Sequence, residues 1–106
     1  MSARIQLPAR AKRGEVIVVQ VLIRHPMETG FRFDEEGRPI ARNCINLLRC
    51  RYNGVEVFRA DLSAGIAANP YLQFTTIAEA SGEMLFDWVD DEGVTGTERA
   101  ALVVTA

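Results

Sequence analysis

The chain is 106 residues long, 48% hydrophobic and 25% charged, with a formal net charge of −2, a composition of globular domains rather than of disordered tails. A chain of this length removes roughly two-thirds of its extended surface from water around one core, so a single domain over residues 1–106 is expected. The near-neutral balance excludes a strong whole-molecule attraction to nucleic acid or an anionic membrane, and no apolar run approaches the ~20 residues of a membrane helix.

Arg4, Pro8, Arg10, Lys12 and Arg13 break up residues 1–14, where an export signal needs an unbroken apolar stretch, so no signal peptide is expected. Residues 4–7 read as a first strand, ended by Pro8, which has no amide hydrogen for a central ladder and therefore marks an edge. Residues 15–24 read as a long strand with Ile17, Val19, Val21 and Ile23 on one face. Val16, Val18 and Leu22 make the other face partly apolar. Two accounts of that second face stay open: a partner covers it, or it is Val-rich surface.

Residues 31–33 and 40–41 flank a polar stretch with Gly37 and Pro39 that reads as an exposed hairpin tip. Residues 43–52 and 55–61 form the next pair, joined by Asn53-Gly54, the sequence of a tight type I′ turn. After an irregular link over 62–70, residues 71–78 alternate as a strand, and Ser81-Gly82 turns the chain into 83–89. There Met84, Phe86 and Trp88 share a face, which predicts that Trp88 packs with Phe86 in the core between the sheets. Asp90-Asp91-Glu92-Gly93 makes a further turn before a last strand over 98–104. About seven short strands at this spacing predict an all-β, immunoglobulin-like antiparallel β-sandwich.

The chemistry-bearing residues are few. His25 is the single histidine, so no second imidazole exists for a zinc or blue-copper centre, and a structural or interface role is expected of it. Cys44 and Cys50 are six residues apart on one predicted strand, roughly 20 Å at about 3.3 Å per residue, beyond the reach of a disulfide. They are expected to be unpaired with each other, either as buried small hydrophobes or bridged to another chain. Asp87, Asp90, Asp91 and Glu92 lack the alternating ligand pattern of a calcium loop and read as a solvated turn. Arg38, Arg42, Arg49 and Arg51 form a loose basic series that fits an acidic partner or plain exposed strand charge. No glycine-rich phosphate loop, Ser-His-Asp order or paired-carboxylate motif is present. No catalytic residue, cofactor or metal is therefore assigned.

Five strings go further: His25-Pro26-Met27-Glu28-Thr29-Gly30, residues 43–46 with Ile45-Asn46, Tyr52-Asn53-Gly54, residues 65–71 with Ala68-Asn69-Pro70-Tyr71, and residues 86–93. Over nearly the whole chain and in this order, they resemble the SoxZ family of sulfur-oxidation proteins. The resemblance implies a periplasmic heterodimer in which the other subunit, SoxY, carries sulfur intermediates on a cysteine in a flexible glycine-rich tail. The present chain matches the supporting subunit, since its cysteines lie mid-chain and it ends in Leu102-Val103-Val104-Thr105-Ala106. It is expected to reach the periplasm without its own signal peptide, co-exported with its partner, and to make transient contacts with the sulfur-oxidation enzymes. Neither nucleic acid nor membrane is an expected partner. A small thiol-dependent sulfur-handling or redox enzyme, and a homo-oligomeric β-sandwich interaction domain, are the alternatives. Cys44 departs from the more usual apolar residue of the family.

The partner-binding candidates are His25, Pro26, Met27, Glu28, Thr29 and Gly30, with Asn69, Pro70 and Tyr71, in segments expected to be exposed loops. Pro26 and Pro70 stiffen them, while Met27 and Tyr71 offer contact surface. A purely structural account stays open beside this one: Pro26 ends a strand, and Asn69-Pro70 aims Tyr71 into the core.

Overall fold

In the computed structural model, which describes residues 2–63 and 65–106, the strand-and-turn pattern condenses into eight strands in two sheets. The strands are β1 (Ala3–Gln6), β2 (Arg10–Lys12), β3 (Val16–Ile23), β4 (Ile45–Tyr52), β5 (Val55–Asp61), β6 (Tyr71–Ile77), β7 (Gly82–Asp90) and β8 (Thr95–Thr105). One sheet has the order β1-β3-β6, the other β2-β8-β7-β4-β5. The described residues contain no helix. The expected all-β sandwich is the fold, with one strand more than expected.

The additional strand is β2, which pairs parallel to β8 through Arg10 opposite Val103 and Lys12 opposite Thr105. Three residues between Pro8 and Gly14 are too few to display a period, and only the arrival of β8 from the far end of the chain gives them a ladder. The remaining strand pairs are antiparallel. Asn53 and Gly54 both take positive φ, 48° and 84°, as a type I′ turn between β4 and β5 requires. Residues 31–33 and 40–41 do not form strands; the hairpin is held by isolated bridges, Phe33 to Pro39 and Glu28 to Asn43.

Alternation places Ile17, Val19, Val21 and Ile23 of β3 against Leu48, Cys50, Met84, Phe86, Trp88 and Leu102 of the larger sheet, all buried. Trp88 and Phe86 lie in this core, as the alternation of β7 predicts. Trp88 stands opposite Gly96 of β8, and a Cβ on Gly96 would come within 2.3 Å of the indole. Glycine is therefore needed there to let the large ring lie down over the neighbouring strand. Phe58 of β5 and Phe74 of β6 stack at 4.3 Å, joining the two sheet edges. On the outer face of the smaller sheet, Val16 and Val18 are exposed, at 63% and 42%.

Candidate functional site

The loop that follows β3 folds back on itself around His25. Its backbone N–H donates to the Asn69 side-chain oxygen at 3.0 Å, and its carbonyl accepts the Asn69 N–H at 2.7 Å. Two separate loops are thereby closed on each other. The Nδ1 atom of His25 accepts the N–H of Met27 at 3.0 Å, so the ring proton sits on Nε2, which faces Asp90 Oδ2 at 3.2 Å. Met27 has a φ of 51°, a conformation that non-glycine residues rarely adopt. Its two hydrogen bonds hold it there: the amide to His25, and the sulfur accepting the Ile45 N–H at 3.3 Å.

The two aspartates at the end of β7 hold the other side. Asp90 Oδ1 accepts the amides of Glu92 and Val94, both at 3.0 Å, which shapes the turn into β8. Burial pushes the Asp90 carboxyl up, but the Val94 amide, the His25 ring and the Glu92 amide together outweigh it and hold the group below its ordinary value. Asp91 Oδ2 accepts the Cys44 N–H at 3.0 Å, and Oδ1 accepts from the Asn46 amide at 3.2 Å. The Cys44 amide above all, then Asn46, depresses the Asp91 carboxyl against the opposing effect of burial, with Arg42 assisting at 3.3 Å. Glu28 and Asn43 exchange backbone hydrogen bonds of 2.8 and 2.9 Å, closing the base of the hairpin.

Segments far apart in the chain thus meet at one pole of the sandwich: residues 25–30, 43–46, 69–70 and 90–91. The expectation that residues 25–30 and 67–71 are exposed throughout is corrected. His25, Met27 and Pro70 are buried, because their polar atoms or rings serve the internal knot; Glu28 and Thr29 are half-buried, and Pro26, Gly30, Asn69 and Tyr71 are exposed. Tyr71 is not aimed into the core either, since it is 54% exposed and its hydroxyl reaches Gln73 at 3.2 Å. The knot's anchors, Asp90 and Asp91, read from sequence only as a solvated turn; their signal is the acidic pair before Gly93, where an Asp readily accepts amides two residues on.

Both cysteines are free and buried. Cys44 lies one residue before β4 and its thiol donates to the Glu28 carbonyl at 3.2 Å. Burial first, and the nearby Asp87 carboxylate second, push the Cys50 thiol up to about 12, so it stays protonated and weakly nucleophilic at neutral pH. Among the described residues no group of three or more His, Cys, Asp or Glu gathers to hold a metal. Arg49 does not stand free for an anion, since it pairs with Asp87 across the β4–β7 ladder at 2.9 Å.

The sequence model of the sulphur oxidation protein SoxZ matches residues 5–101. The chain belongs to the SoxZ family. No curated protein sequence matches it. Among solved structures, this SoxZ-family chain resembles the superoxide reductase (neelaredoxin) of Ignicoccus hospitalis, with a TM-score of 0.77 and 18% identity over 99% of this chain and 81% of the other. It also resembles a superoxide reductase of Thermotoga maritima described as such without established activity, with a TM-score of 0.73 and 14% identity over 98% and 86% of the two chains. The sulfur carrier protein SoxY of Chlorobium limicola f thiosulfatophilum matches with a TM-score of 0.67 and 12% identity over 98% and 79%. At these identities the likenesses establish a shared fold alone.

Proposed function

We propose that the chain is a non-catalytic subunit of a periplasmic sulfur carrier complex. It binds a cysteine-bearing SoxY-type subunit as a heterodimer and helps present that subunit's sulfur intermediates to the enzymes of thiosulfate oxidation. The observation that carries this reading is the family match over residues 5–101. The chemistry agrees with it: the Cys50 thiol, held protonated inside the sandwich, is poorly suited to carrying sulfur between active sites. The exposed members of the knotted pole, Pro26, Gly30, Asn69 and Tyr71, form the docking surface, and His25, Met27 and Pro70 support it from within. The chain forms one domain over residues 1–106 and reaches the periplasm in complex with the subunit that carries the export signal.

The test is reconstitution. The purified chain is mixed with the SoxY-type subunit of the same organism, the complex is weighed by native mass analysis, and thiosulfate-dependent turnover is followed after adding the sulfur-oxidation enzymes. A one-to-one complex and turnover that depends on this chain are the expected results. Failure to bind, or full turnover without it, would overturn the reading.

A further inference from the structure

Each sheet of the sandwich ends in two edge strands, β1 and β6 in one and β2 and β5 in the other. An edge offers unpaired N–H and C=O groups to any extended chain that comes alongside, and folded proteins blunt it with short length, charge, proline or a bulge. β1 has 4 residues and carries Arg4; β2 has 3 and carries Arg10 and Lys12. β5 carries Glu56, Arg59 and Asp61, and its register against β4 shifts between Cys50 and Arg51. β6 has none of these guards. Its 7 residues, Tyr71 to Ile77, include no charge, proline or glycine, and they pair with β3 in one unbroken register.

The ladder to β3 decides which groups of β6 are free. The Ile23 N–H donates to the Pro70 carbonyl at 3.1 Å just before β6, and the Ala78 N–H donates to the Glu15 carbonyl at 2.9 Å just after it. With Val21 opposite Leu72, Val19 opposite Phe74 and Ile17 opposite Thr76, the alternation of an antiparallel ladder directs the N–H and C=O groups of Leu72, Phe74 and Thr76 to β3. Those of Tyr71, Gln73, Thr75 and Ile77 point the other way, where among the described residues no strand lies. Solvent reaches this side, since Thr75 and Ile77 line a cleft of about 590 Å³ between β6 and the residues Val55 and Val57 of β5.

The open edge is complementary to itself. Two copies of β6 laid antiparallel about a two-fold axis at Phe74 bring Tyr71 of one opposite Ile77 of the other, and Gln73 opposite Thr75. Each pair then joins outward-directed residues of both strands, which exchange N–H and C=O with each other. An axis between two residues sets outward groups against inward ones, and an axis at any other residue leaves outward groups without a partner. The pairing at Phe74 also sets an aromatic ring beside a β-branched side chain at both ends, a favoured cross-strand combination. Tyr71 and Ile77 are 54% and 51% exposed in the single chain, so both gain cover. No like charges meet, because the strand carries none. A two-fold contact of this kind closes on itself and leaves no edge of β6 for a third copy.

We propose that β6 is a self-recognition edge, through which two copies of the chain join into a two-fold dimer with one continuous sheet of the order β1-β3-β6-β6-β3-β1. Tyr71 also stands on the docking surface given under Proposed function, so the dimer is the form of the chain free of its partner. The experiment uses the purified full chain alone, and its outcome does not depend on the heterodimer reading. Sedimentation equilibrium over a range of concentrations is expected to show a reversible passage from the 11.8 kDa chain to a species of twice that mass. Residue-resolved amide hydrogen exchange reads the register. At high concentration the amides of Tyr71, Gln73, Thr75 and Ile77 are expected to gain protection that dilution removes, while those of Leu72, Phe74 and Thr76 stay protected throughout by β3. The Gln73→Lys/Thr75→Lys double variant sets lysines directly opposite each other across the axis and is expected to raise the dissociation constant about 10-fold or more. Both positions are exposed, and a retained cooperative urea transition shows that the variant is folded; Thr75→Lys alone takes its place if that transition is lost. A chain that stays monomeric at every concentration overturns the proposal. So do a dimer whose amide protection does not alternate along β6, an undiminished dimer in the folded variant, and growth past the dimer into an open assembly.

Discussion

His25 and Asp90 stand 65 residues apart in the chain and meet at 3.2 Å in the buried end of the sandwich. Every polar atom of this pair has a use: Nδ1 takes the Met27 amide, Nε2 faces the carboxylate, and the carboxylate takes two further amides. Removing the ring leaves a buried carboxylate oxygen and the Met27 N–H without their partner. His25→Ala is therefore expected to cost about 2–3 kcal/mol, measured as the shift in urea unfolding at neutral pH.

Acid should act through the same carboxylate. Asp90 is held below its ordinary value in the folded chain because the Val94 amide, His25 and the Glu92 amide outweigh the upward push of burial. Its stabilising contribution is therefore complete above the unfolded carboxylate value of about 3.9 and is lost as pH falls through the lower folded value. Asp91, lowered mainly by the Cys44 amide, adds in the same sense. Unfolding midpoints measured between pH 2 and 6 are expected to fall toward acid in the wild-type chain and to fall less steeply in Asp90→Asn.

Trp88 and Gly96 form a size-matched pair across the β7–β8 ladder. Trp88→Ala should cost about 3–5 kcal/mol as a core cavity, and native tryptophan emission should be that of a buried indole. Gly96→Ala forces its new Cβ against the ring and should cost about 1–3 kcal/mol. In a Trp88→Phe background the cost of Gly96→Ala should shrink, since the smaller ring leaves room; equal costs in both backgrounds would show that the two sites are not coupled.

Tyr52 fastens the opposite pole. Its hydroxyl donates to the Ala80 carbonyl and accepts the amides of Glu79 and Ala80 at 3.3 and 3.1 Å, tying the end of β4 to the turn between β6 and β7. Tyr52→Phe removes these bonds while keeping the ring, and about 1–3 kcal/mol of stability should go with them. Chemical denaturation of the purified variant checks this.

The thiols should be silent in the folded chain. Burial above all, with Asp87 second, holds the Cys50 thiol up at about 12, and Cys44 is buried as well. With Ellman's reagent at mildly alkaline pH neither is expected to react until denaturant is added, when both should. Non-reducing peptide mapping should recover no bridge between them.

What the sequence alone determined was whatever neighbouring residues enforce. The alternation of Met84, Phe86 and Trp88 selects a face of β7 because successive side chains of a strand point to opposite sides, and Asn53-Gly54 selects its turn because both residues tolerate positive φ. The family resemblance likewise lay in short contiguous strings, and the match over residues 5–101 upholds it. The knotted pole was not legible, since bonds such as His25 to Asn69 and Cys44 to Asp91 join residues 44 and 47 positions apart and exist only once the sheets have stacked. For that reason His25, Met27 and Pro70, read as loop surface, are interior. The three residues of β2 show the same dependence, because a segment that short takes its conformation from the strand that arrives beside it, Val103 to Thr105 of β8. Tertiary packing also decided which apolar side chains stay outside: alternation leaves Phe31 and Phe33 unassigned, and only the position of the hairpin beyond the core exposes them.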